Sequence, residues 1–257
     1  MSKNFIFKIA TNKEKPPHIP SEPCWQESIK AIKDSLEFDS FLKFKRYLLD
    51  VLPQNSLETR KRYASYILKR FFHSGNLNEL TVKVWKCYRD EELLQQIMRY
   101  QFLTVESLVG LFVESELIYF PPGDILKNTE LETFVERVYN TKKRKVVSRL
   151  SSILRELNFI KMVNKKPMIA LLPTPKTALL ILTHHLFSPQ PQTVTLKEIL
   201  NHSFWKYLGI REESVVRKTF KEADTLGLIS KYYVGDQLEQ ITTKYTLDEF
   251  LEIRAKL

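Results

Sequence analysis

Four consecutive cations, Lys142, Lys143, Arg144 and Lys145, open a stretch that continues with Ser148, Arg149 and Ser152 at helical spacing. Lys and Arg neutralise phosphate, and Arg can also donate two hydrogen bonds to a guanine edge. Small hydroxylated residues let a helix approach a groove closely. On a helix starting at these cations, Val146, Leu150, Ile153, Leu154 and Leu157 share the opposite face. One segment thus supplies an apolar inner stripe and a basic outer one. Cations at a helix N-terminus oppose its dipole by roughly 0.3–1 kcal/mol each when exposed. Four of them there predict a compensating external anion, and phosphate fits. Lys165 and Lys166 fall in the turn of a hairpin expected just downstream and extend the basic track. Arg60, Lys61 and Arg62 open a second basic helical segment that continues with Lys69 and Arg70, and in which Tyr63 and Tyr66 read as core or snorkelling aromatics. The residues expected to contact DNA are these two groups of cations with Ser148 and Ser152.

The charge distribution agrees with that reading. The 257-residue chain carries a formal net charge of +10. Between Arg137 and Lys197 stand 12 Lys and Arg against one acid, Glu156, a surplus of 11 that leaves the rest at −1. A charge serving solubility alone would not cluster this way.

Other chemistries find no support in the sequence. There is no GxxxxGK[ST], GxGxxG or HExxH motif, and the six glycines are scattered. His184 and His185 are adjacent, so they point to different helix faces and read as structural. The acids of "GDILKNTELE" lack the E-x-K segment of a metal-dependent nuclease. No catalytic residue, metal or cofactor is expected, and the chain reads as a non-enzyme. Cys24 and Cys87 are isolated thiols suited to a reducing compartment. The apolar stretch 168–187 is interrupted by Pro173, Pro175, Lys176, His184 and His185. A spanning helix needs about 20 mostly apolar residues, so a cytoplasmic protein without a membrane partner is expected.

The elements that must position the cations are mainly α, with small β-hairpins. Residues 1–20 read as an irregular or strand-like lead. Helices are expected over "FDSFLKFKRYLLDVL", stopped by Pro53, over "LETRKRYASYILKRFF", capped by Ser56, and around Leu80–Tyr88 and Glu91–Gln101. Thr104, Thr129 and Thr141 are the expected caps of the next three helices. "FIKMV" and "MIALL" then flank "NKKP" as a hairpin. Helix, helix, helix, hairpin is the order of a winged helix, and it recurs. "PKTALLILTHHLF", "LKEILNHSFWKYLG" and "ESVVRKTFKEADTLGLI" precede "SKYYV" and "QITTKYT", and "LDEFLEIRAKL" closes the chain. The two third helices align without gaps: Val146-Val147 and Leu157-Asn158-Phe159-Ile160 match Val215-Val216 and Leu226-Gly227-Leu228-Ile229. Charges on the second third helix nearly cancel, which predicts packing or partner contact there. The implied organisation is a helical bundle with helix-turn-helix character over 1–103, a basic winged-helix-like domain over 104–172 and a second winged-helix-like domain over 173–257.

The succession "NSLETRKRYASYILKRF", "YFPPGDILKNTELETFVE", "KKRKVVSRLSSILRELNFI" resembles the BrxA family, a component of bacterial BREX phage-defence systems. The likeness spans Phe38 to Leu172. It implies a non-enzymatic, DNA-binding accessory protein with helix-turn-helix character, its contacts carried by Arg60, Lys61 and Arg62 and by Lys142 to Lys145 with Arg149. Double-stranded DNA is then the expected partner, with other defence-system proteins besides. The competing expectation is a protein-interaction adaptor that scaffolds a defence complex without touching DNA. RNA is disfavoured, because no aromatic stacking sheet is evident.

Overall fold

The computed structural model describes residues 16–188, 190–236 and 238–254, so most of the expected lead lies outside it. The described part is mainly helical, with two small antiparallel sheets. Five helices come first: α1 (Trp25–Asp34), α2 (Phe41–Val51), α3 (Leu57–Phe71), α4 (Leu80–Tyr88) and α5 (Glu91–Val105). Pro53 lacks an amide and disfavours helix in the residue before it, so α2 ends at Val51. Ser56 caps α3 by accepting from the Thr59 amide at 3.1 Å. Asp90 caps α5 by accepting from the amides of Glu92 and Leu93 at 2.9 and 3.1 Å.

Helix α5 runs past the expected end at Gln101, and Thr104 caps nothing. Its hydroxyl donates back to the Tyr100 carbonyl at 2.9 Å, as an interior helical threonine does. The break comes at Glu106, and α6 follows (Ser107–Ser115). Helix α7 (Asn128–Tyr139) starts one residue before Thr129. The Glu130 carboxylate reaches back to the Lys127 amide at 2.6 Å and satisfies that end instead. Asn140, left-handed at φ 54, ends α7. Thr141 falls in the turn that follows. Helix α8 (Arg144–Glu156) has Lys143 at its N-cap, with no side-chain cap.

Strands β1 (Ile160–Val163) and β2 (Lys166–Ile169) form the expected hairpin, β2 starting two residues before Met168. Residues 124–126 lie along its β2 edge: Ile125 bridges Met168, the Ile169 amide donates to Asp124 at 2.8 Å, and the Leu126 amide donates to Pro167 at 2.9 Å. The second unit comprises α9 (Lys176–Phe187), β3 (Thr193–Thr195), α10 (Leu196–Asn201), α11 (Phe204–Tyr207), α12 (Glu213–Thr225), β4 (Lys231–Gly235), β5 (Leu238–Thr242) and α13 (Leu247–Arg254). Its sheet is ordered β3-β5-β4. Three-residue β3 had no periodic signal to announce it. In both units an extended segment between the first two helices pairs with the last strand of the hairpin.

The two third helices match bond for bond. Each has 13 residues. Val146 donates to Lys143 at 2.9 Å, and Val215 to Glu212 at 3.1 Å. Asn158 (φ 60) and Gly227 (φ 67) take the left-handed conformation after the last turn. Phe159 then donates to Leu154 at 2.9 Å, and Leu228 to Ala223 at 2.8 Å. These are two Schellman stops in the same frame.

The buried side chains form two cores. One runs from Cys24 to Ile169 and joins the first helices to α6, α7, α8 and the first hairpin. The other joins Leu80, Val84, Leu93, Ile97 and Tyr100 to the second unit. The expected boundary at 103/104 therefore does not separate two cores. Helix α5 serves both: Leu94, Met98 and Phe102 enter the first, while Leu93, Ile97 and Tyr100 enter the second. Across the junction, the Arg211 guanidinium donates to the carbonyls of Leu117 (3.1 Å), Ile118 (2.9 Å) and Phe120.

Candidate nucleic-acid interface

Helix α8 is held from below by Val146, Val147, Leu150, Ile153 and Leu154, all buried. This anchoring fixes the outward face. Ser148 and the three cations Lys142, Arg144 and Lys145 are exposed there. Among the described residues no carboxylate lies within ion-pair distance of those three. Lys143 is half-buried, with its ammonium 4.0 Å from the centroid of the Tyr139 ring. An uncapped N-terminus leaves the first helical amides turned outward, so the α8 start combines exposed cations with free donors.

Arg149 and Ser152 are half-buried on the next turns. Arg149 is paired: Glu22, from the segment before α1, holds its Nη2 at 2.6 Å. That segment is itself fastened. The Tyr139 hydroxyl donates to the Pro17 carbonyl at 2.8 Å. His18 Nε2 and the Ser21 amide meet Glu106 Oε2 at 3.1 and 3.3 Å. Glu106 Oε1 accepts from Arg70 Nε at 3.1 Å and Nη2 at 2.7 Å, in a pair only 1% and 2% exposed. Arg70 Nη1 donates onward to the Pro23 carbonyl at 2.7 Å. A strap over 16–24 is thereby tied to both α3 and α8. Cys24 ends it, and burial pushes its thiol up to about 12 against the opposing pull of Arg70.

The C-terminal end of α8 is fixed by Arg99, whose Nε donates to the Leu157 carbonyl at 3.0 Å. Burial lowers the Arg99 pKa to about 10, which leaves it cationic at neutral pH. Lys165 and Lys166 are exposed at the hairpin turn. Val163 pairs with Lys166, leaving Asn164 (φ 48) and Lys165 (φ 63) as the two turn residues. Such a turn favours Asn-Gly. Asn164 suits its place, whereas Lys165 stands where glycine would be unstrained.

The three cations of the second basic cluster stand in different surroundings. Arg60 is half-buried, and its Nη1 donates to the Leu49 carbonyl at 2.9 Å, closing the α2–α3 turn. Lys61 lines a groove between α2 and α3, and Arg62 is exposed. Tyr63 and Tyr66 pack partly buried against the first core, as expected. On α12, Arg217 pairs with Glu213 and Glu239 at 2.9 and 3.0 Å, and Lys176 of α9 pairs with Glu222 at 2.6 Å. The second unit thus pairs part of the charge of its own third helix, while Lys218 and Lys221 stay exposed.

Sequence reasoning missed Glu22, Glu106 and Arg99, and it counted Arg70 in the basic face of its helix, where the structure instead buries it against Glu106. Each meets its partner only through tertiary folding, and no local pattern marks it. His184 is buried and stacks on Phe250 with centroids 4.2 Å apart. Among the described residues no group of three or more His, Cys, Asp or Glu stands together as a metal site. No helix among them is long and apolar enough to cross a membrane. No family model, curated protein or solved structure matches the chain.

Proposed function

We propose that the chain is a cytoplasmic, non-enzymatic accessory protein that binds double-stranded DNA, mainly through the phosphate backbone, in a bacterial phage-defence system of the BREX type. The observation that carries this reading is the start of α8, where Lys142, Arg144 and Lys145 are exposed and free of carboxylates among the described residues. The element order of each unit is that of a winged helix, and α8 holds the position of the helix that enters the major groove in helix-turn-helix proteins. Lys165 and Lys166 at the hairpin turn would follow the adjacent backbone. The defence setting comes from the resemblance to the BrxA family.

Phosphate neutralisation releases counterions, with a log K slope of about −0.9 per contact. For about four to six contacts, affinity for a duplex falls by roughly two to three decades between 50 and 200 mM salt. Retention on duplex DNA across that range, measured by fluorescence anisotropy, is the test; a flat response removes the proposal. Reversing Lys142, Lys143 and Lys145 to glutamate abolishes binding if the reading holds.

In the adaptor reading the cations at the start of α8 meet an acidic partner, and the second unit docks another. The charges of α12 nearly cancel, with Arg217 paired to Glu213 and to Glu239 of β5, while Tyr233, Val234 and Leu238 are exposed on the β4–β5 hairpin. A face of balanced charge with exposed apolar residues suits a protein partner better than a polyanion. If the triple reversal leaves DNA retention intact and abolishes a partner interaction, the adaptor reading replaces the first.

A further inference from the structure

Between α2 and α3 runs a groove of about 630 Å³. Phe41, Leu49, Leu68 and Phe72 supply its apolar surface. Lys45, Lys61 and Lys69 stand along it, exposed, and no carboxylate lines it. Among the described residues none of these lysines has a carboxylate within ion-pair distance. The wall residues follow helical spacing: Phe41, Lys45 and Leu49 on α2, and Lys61, Ser65 and Leu68 on α3, with Phe72 just past its end. At 1.5 Å per residue, each row extends about 12–16 Å, or two to three helical turns. Ala64, Ser65 and Gly75 also line it and bring no large side chain. Duplex DNA has no apolar side chains to place on two phenyl rings and two leucines, so the floor remains unmatched by a phosphate ligand.

We propose that this groove docks an acidic amphipathic helix of a partner protein. Apolar residues at i, i+3 or i+4, and i+7 on the partner cover the half-buried Phe41, Leu49 and Leu68 above the buried Phe72, and its Asp or Glu flanks face Lys45, Lys61 and Lys69. The cations give orientation and a fast encounter, and the burial of the floor gives residence. Lys61 thereby acts in protein recognition, separately from α8, and the proposal stands or falls independently of DNA binding.

The test uses the full chain and a displayed library of random peptides about 16 residues long, some four helical turns. Selection on the wild type is set against Ser65→Trp, which fills the groove from an exposed position, and against the pair Lys61→Glu, Lys69→Glu. The melting profile of each variant establishes that it folds. The expected result is that peptides retained by the wild type alone are rich in Asp and Glu with apolar residues at helical spacing. A synthetic copy of one should bind both variants about tenfold or more weakly, and excess duplex DNA should not displace it. Retained peptides that are neutral or basic, retention undiminished by either variant, or failure to enrich any peptide overturns the proposal. Displacement of the peptide by duplex, lost together with Lys61 and Lys69, reassigns the groove to nucleic acid.

Discussion

Lys165 shows how a single residue can be placed against its own backbone preference. A side chain at φ 63 costs about 1–2 kcal/mol relative to the right-handed regions, and glycine removes the clash at some entropic cost. Lys165→Gly is expected to raise the urea midpoint, by up to about 1 kcal/mol of stability. The same change should weaken duplex binding and reduce the salt slope by about one contact. If both stability and affinity fall, the turn geometry is wrong. His184 offers a pH reading. It is buried against Phe250, its Nδ1 lies 2.9 Å from the Leu180 carbonyl, and its Nε2 has no partner among the described residues. Desolvation by burial holds its pKa below the ordinary 6.5. The unfolded chain therefore takes up a proton more readily. This histidine's share of stability is present above about pH 6.5 and is lost as pH falls below it. Urea titrations at pH 7 and pH 5 should show a smaller acid-side loss in His184→Leu than in the parent.

At the scale of elements, legibility followed the range of the signal. Helix α4 matched its expected span, Leu80–Tyr88, because its period and its breaks are local. Ser56 was readable as a cap because the motif spans four residues. Thr104, Thr129 and Thr141 are equally good caps by type, yet none caps a helix. Glu130 took over one end, and α5 ran through another. The α8 inner stripe was legible from spacing. The carboxylate on Arg149 was not, because the strap reaches α8 only through Glu106, Arg70 and Tyr139. The paired helix stops give a direct test of the repeat. Adding a Cβ at Gly227 would meet nothing within 4 Å, so the cost of Gly227→Ala is purely conformational. It should be about 1 kcal/mol by urea denaturation, with Asn158→Gly neutral to slightly stabilising. A cost near zero at Gly227 would mean that α12 does not end in the left-handed turn.

For the molecule as a whole, the sharing of α5 decides how it unfolds. The order of elements and its recurrence favoured three successive domains, but sequence does not show which face of a helix meets which core. Leu93, Ile97 and Tyr100 belong to the second core while their neighbours fill the first. A fragment ending at residue 172 keeps α5 and bares that second face. It should bind a hydrophobic dye and aggregate, and the intact chain should melt in one transition. A soluble, dye-silent fragment would restore the three-domain picture. The equal lengths and shared hydrogen-bond frame of α8 and α12 carry one more consequence. Residues 144–156 and 213–225 thus occupy equivalent places that close on the same stop, yet they are not interchangeable: Ser151 stands where Phe220 is buried, and Leu154 where Ala223 is. The scaffold is duplicated, and the side chains written on each copy have diverged inside as well as outside.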